Sequence, residues 1–138
     1  ERAGRYALLE IARAQGLRPM PREWARGMVH ARHLGTPLFE AVLDMFERSS
    51  VAAFAAQIEA LLARRDAAAL LATITVPTLV LCGRDDSWSP PARHEFMHER
   101  IAGSTLTVIE RCGHMSTMES PEAVTEALRD WLVRPARG

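Results

Sequence analysis

The sequence predicts an α/β chain in which an all-helical stretch precedes parallel strands packed with helices, and three observations carry that prediction. The first seventy residues space their apolar side chains at helical intervals and carry helix punctuation, with no alternating strand pattern. From Thr73 onward, two strand-like apolar segments alternate with two amphipathic helices, an order that implies a right-handed crossover and parallel pairing. The composition agrees: 138 residues, 48% apolar and 25% charged, suit one domain or a large part of one and exclude disordered, collagen-like and coiled-coil chains.

Four helices fit the first part. Residues 4–15 place Leu8, Leu9, Ile11 and Ala12 ahead of Gly16, a helix stop. A second helix begins near Pro21 and sets Trp24 and Met28 four apart on one face. The third has Thr36 as N-cap and Pro37 at its first position, followed by the stripe Phe39, Val42, Leu43 and Phe46. The fourth follows Ser50 and presents Phe54, Ile58, Leu61 and Leu62. A short turn, Ala67 to Leu71, leads out of this region.

The second part opens with Val76 to Cys82, V-P-T-L-V-L-C, an apolar run bounded by Pro77 and Gly83 that reads as a parallel strand buried on both faces. Ser89, Pro90 and Pro91 give a capping oxygen and first-turn prolines for a helix with Phe96, Met97 and Ile101 on its apolar side. Thr105 to Ile109 is the second strand. Ser120 and Pro121 then start a helix whose Val124, Leu128, Trp131 and Leu132 share a face. The boundary between the regions is expected at 72, giving 1–72 and 73–138. Two parallel strands are too few to stand alone, because each leaves an unpaired edge. The chain also opens on Glu1 rather than Met. Upstream strands, or a partner copy in a homo-oligomer, are therefore expected to complete the sheet.

Seventeen basic and seventeen acidic residues cancel, which offers no basic face for nucleic acid. No apolar run approaches the ~20 residues of a membrane span, so a cytoplasmic protein with no membrane partner is expected. Cys82 and Cys112 are too few for a disulfide framework or a zinc site and are expected as reduced thiols. His94 and His98, and His30 and His33, have metal-compatible spacings but no third ligand close in sequence, so solvated histidines are expected and no metal.

Chemistry concentrates in the two loops that follow the strands, where open parallel sheets gather their functional groups. The first reads Gly83-Arg84-Asp85-Asp86-Ser87-Trp88-Ser89-Pro90, the second Arg111-Cys112-Gly113-His114-Met115-Ser116 through Glu119 to Pro121. A carboxylate and an imidazole thus leave the same end of adjacent strands. Such a pair can fix the imidazole tautomer and stabilise the imidazolium formed when histidine takes a proton from a nucleophile. Ser116 lies too near His114 in sequence to present its hydroxyl to the far ring nitrogen.

The stretch from Ile74 to Leu132 resembles the C-terminal end of an α/β-hydrolase. Its pattern is a strand with an early proline, G-x-x-D-x-x-x-P, a helix, a second strand, G-H-x-x-x-x-E-x-P and a final helix. Val76, Pro77, Gly83, Asp86, Pro90, Gly113, His114, Glu119 and Pro121 match it, with Cys112 where the family often has a second glycine. The resemblance implies that Asp86, rather than Asp85, is the triad acid and His114 the base. It further implies that residues 1–72 are the family's helical cap (lid), and that neither an organic cofactor nor a metal is used. No G-x-S-x-G occurs in the sequence, so the triad's nucleophile is not among these residues. The whole protein is then expected to be a serine-type hydrolase of an ester, lactone or similar bond in a small apolar substrate. Whether these residues alone form an enzyme stays open. The competing reading is a non-catalytic helical interaction module or an inactive hydrolase-derived fragment.

Overall fold

The structure is a computed structural model that describes residues 2–17 and 21–133. The chain divides between two compact units, one drawn from Glu1–Arg26 and Leu34–Arg65, the other from Gly27–His33 and Asp66–Gly138.

The first unit is helical. Its helices are α1 (Arg2–Gln15), α2 (Pro21–Trp24), α3 (Pro37–Glu47) and α4 (Val51–Ala63). Leu9 and Ala12 of α1, with Leu17 beyond it, bury against Phe54 and Ile58 of α4. Trp24 sets its edge against Phe46 and Phe54, with ring centroids 5.0 and 6.2 Å away. Gly16 ends α1 at φ +82° while its amide donates to the Ala12 carbonyl, as a left-handed stop requires. Ser50 caps α4 by accepting the Ala53 amide at 3.1 Å. Thr36 stands at the N-cap of α3 but its hydroxyl makes no capping bond there; Pro37 supplies the preset φ instead.

The expected second helix is corrected. Only one α-turn forms, and the chain then tightens into a 3₁₀ turn at Ala25–Met28. Gly27 lies in that turn and weakens helix continuation. Trp24 therefore packs in the first unit, whereas Met28 belongs to the second.

In the second unit a 3₁₀ turn, Ala68–Thr73, precedes β1 (Leu79–Gly83), α5 (Pro91–Arg100), β2 (Thr105–Ile109), α6 (Ser116–Glu119) and α7 (Pro121–Val133). The strands are parallel and in register from Leu79 opposite Thr105 to Gly83 opposite Ile109. This is the strand, helix, strand, helix order expected. Ile109 and Cys112 bury against Val124 of α7.

Five details differ from expectation. The strand starts at Leu79 rather than Val76, because Pro77 has no amide to donate and the Thr78 hydroxyl turns back to the Val76 carbonyl; Val76 is 65% exposed. Burial of the strand is also less complete than expected, with Val80 and Cys82 buried but Leu79 and Leu81 only partly so. Helix α5 begins at Pro91 with Pro90 as N-cap, so Ser89 does not cap it; the Ser89 amide is engaged by Asp86 instead. On α7 only Val124 is fully buried, and Leu128 and Leu132 are exposed. The short helix α6 has no forerunner in the apolar pattern, since four residues are too few to show a period.

Candidate active site

Register brings the ends of β1 and β2 side by side, and the two loops are then tied together by their backbones. The Arg84 amide donates to the Ile109 carbonyl and the Asp85 amide to the Cys112 carbonyl, both at 2.8 Å. A Cβ on Gly83 would overlap the Cys112 and Gly113 carbonyl oxygens, so only glycine allows this approach. Arg111 turns the chain at φ +52°, a left-handed conformation that costs a side-chain-bearing residue energy and is held by the surrounding loop.

That approach places Asp86 against His114. Oδ2 of Asp86 lies 2.8 Å from Nδ1 of His114, and Oδ1 accepts the amides of Trp88 at 2.9 Å and Ser89 at 2.8 Å. The carboxylate side chain is 5% exposed and the imidazole 37%. One oxygen is therefore locked by two backbone donors, leaving the other aimed at the ring, while the ring keeps an open side. The Trp88 indole packs on that imidazole, centroids 5.4 Å apart and planes tilted by 39°. Asp85 points elsewhere: its Oδ2 is 3.8 Å from Nε2 of His30, and its side chain is 45% exposed.

A second carboxylate, Glu119, holds the histidine loop from behind. Its side chain is fully buried and accepts the Gly113 amide at 3.0 and 3.1 Å and the His30 amide at 2.7 Å. His30 belongs to the strap Gly27–His33, which is fastened to both loops. The Met115 amide donates to the Met28 carbonyl at 3.0 Å, and the Ser87 hydroxyl to the Gly27 carbonyl at 2.9 Å. Gly113 lies so near Val29 and His30 that a Cβ would come 2.7 Å from the Val29 carbonyl carbon.

The sequence marked Glu119 only as part of a resemblance and missed the strap and Trp88. Gly27 and Gly113 were the available signals, since each leaves room for a neighbour's backbone or ring. The strap itself has no local signature, because its partners are 60 to 89 residues away.

His94 Nδ1 faces the Pro90 carbonyl of its own helix, and His98 Nδ1 meets the Ser104 hydroxyl at 2.8 Å. Among the described residues, no group of three or more His, Cys, Asp or Glu is arranged to hold a metal ion. Cys82 and Cys112 are free and buried, and burial pushes both thiols above their ordinary pKa, with the Asp86 charge adding to the rise at Cys82. Ser116 heads α6, where its carbonyl accepts the Ser120 amide.

The sequence profile of the alpha/beta hydrolase family matches residues 2–127. The chain belongs to that family. It is 38% identical over 69 residues to the pimeloyl-(acyl-carrier protein) methyl ester esterase of Neisseria meningitidis, a stretch covering 50% of this chain and 27% of that protein. It is 40% identical over 62 residues to the proline iminopeptidase of Lactobacillus crispatus, covering 45% of this chain and 21% of that one. Among solved structures, a thermophilic esterase from Thermogutta terrifontis superposes with a TM-score of 0.85 at 31% identity, over 95% of this chain and 49% of that chain. The chain thus spans about half of that hydrolase. Both strands of this alpha/beta hydrolase chain, Leu79–Gly83 and Thr105–Ile109, lie within the matched residues. No helix among the described residues is long and apolar enough to cross a membrane.

Proposed function

We propose that these residues are the acid and base portion of a serine-type alpha/beta hydrolase that cleaves a carboxylic ester or lactone in a small, largely apolar substrate. The observation that carries the reading is the 2.8 Å contact between Asp86 and His114, with the second Asp86 oxygen held by two amides. The esterases among the similar proteins support the bond type.

Under this reading the Asp86 carboxylate accepts a hydrogen bond from Nδ1–H of His114 and leaves the Nε2 lone pair facing the open side. Nε2 takes the proton of a serine hydroxyl supplied by another part of the whole protein as that oxygen attacks the acyl carbon. The imidazolium then gives the proton to the departing alcohol, and the cycle repeats with water for deacylation. The helical unit is the cap of such an enzyme, which works in the cytoplasm on a small molecule. Its sheet is completed by the strands of the whole hydrolase.

Turnover of a nitrophenyl ester by the whole protein tests the proposal. Hydrolysis is expected, and His114→Ala is expected to abolish it while leaving the fold intact, because a half-exposed turn side chain contributes little burial. The 138-residue polypeptide by itself is expected to show only background, since loss of the nucleophile costs about six orders of magnitude in kcat. Undiminished turnover in His114→Ala would remove the histidine from the mechanism. Release of N-terminal proline from a peptide, with no ester cleavage, would move the substrate class to amides.

A further inference from the structure

Trp88 touches both members of the acid and base pair, and we infer that it is a positioning residue whose indole keeps the His114 ring aligned with Asp86 and favours the imidazolium form. The inference rests on the reading of His114 as the base. Its backbone amide donates to Asp86 Oδ1 at 2.9 Å, while its ring lies 5.4 Å from the imidazole centroid. One residue therefore fixes the carboxylate with its main chain and the imidazole with its side chain.

The indole is itself braced. Ser87 is tied to the Gly27 carbonyl, and a Cβ on Gly27 would stand 3.1 Å from Trp88 Nε1 and 3.3 Å from Cδ1. The strap thus backs the ring on one side and the imidazole meets it on another. An aromatic ring within about 6 Å of a cation attracts it through its quadrupole, and attracts the neutral form less. With centroids 5.4 Å apart and planes tilted by 39°, the two rings lie within the range of roughly 4.5–7 Å in which aromatic pairs attract. The other charges around His114 are engaged: Asp86 bonds the ring, Asp85 faces His30, Glu119 binds backbone amides with His33 3.9 Å away, and Arg84 pairs with Glu110. The backbone amide at position 88, and with it the bond to Asp86 Oδ1, is kept in every variant, so the comparison varies the indole.

NMR titration of the His114 Cε1 proton in the full chain tests this, with the resonance assigned by its loss in His114→Gln. In Trp88→Leu the midpoint is expected to fall by about half a pH unit, and in Trp88→Phe, which keeps a weaker ring, by less. An unchanged or raised midpoint in Trp88→Leu would overturn the inference, a rise meaning that the indole only keeps water off the ring. Should Trp88→Leu fail to fold, the unmutated protein decides: ring protons of His114 displaced upfield of those of the other histidines support the ring contact, and undisplaced ones refute it. None of these readings needs turnover. Failure here is therefore distinct from failure of the ester hydrolysis proposal, which His114→Ala decides.

Discussion

Asp85 and Asp86 are chemically identical neighbours whose surroundings give them different work. Asp86 is 5% exposed and bound to two amides and an imidazole, whereas the side chain of Asp85 is 45% exposed and only near His30. Asp86→Asn keeps the shape but lets the amide present a donor to Nδ1, which selects the wrong tautomer. Turnover of the whole protein is expected to fall by about four orders of magnitude. Asp85→Asn is expected to stay within about twofold, as surface changes do. Steady-state kinetics on the two variants checks the ranking, and the reverse order would make Asp85 the acid. Glu119 acts at the same scale on stability. Glu119→Ala orphans the amides of Gly113 and His30 in a buried place and is expected to cost about 2–4 kcal/mol in urea unfolding. Glu119→Gln retains an accepting oxygen and is expected to cost less.

Loops and strands set what those residues can reach. Gly83 ends β1 where the chain must pass beneath the Cys112 and Gly113 carbonyls, so Gly83→Ala has to push the two loops apart. Its unfolding midpoint is expected to drop by an amount equivalent to about 2 kcal/mol or more, and thermal unfolding measures it. The strand, helix, strand, helix order and the Asp86 and His114 positions were legible in the sequence, because apolar runs, prolines and glycines are local signals. The helix starts were legible where proline presets φ, as at Pro37 and Pro121. The true start of β1, the break at Gly27 and the Ser89 amide's engagement with Asp86 were not legible. Each depends on which backbone amide finds which distant acceptor, a choice that neighbours in sequence do not record. The strap was illegible for the same reason, since a stretch of chain with no apolar period has no pattern to read until its partners are in place.

At the scale of the molecule, β1 has a single strand partner among the described residues, and its other edge carries backbone donors and acceptors along apolar Leu79, Val80 and Leu81. Such edges recruit other strands. The 138-residue polypeptide is expected to sediment at equilibrium as species heavier than 15.3 kDa, and a clean monomer at micromolar concentration would show that the edge is tolerated in water. The strap has a consequence for the order of assembly. Asp86 and His114 close a loop of 28 residues, but His30 and Glu119 close one of 89. Chain entropy makes the longer closure dearer by about 1 kcal/mol. The fastening that seats the histidine loop should therefore form last and open first. Native-state hydrogen exchange is expected to show the His30 and Met115 amides opening at lower free energy than those of Arg84 and Thr105, which bridge the two strand ends. The seating of the histidine loop would then be the final increment of folding, and partly folded molecules would carry Asp86 and His114 before the strap holds that loop in place.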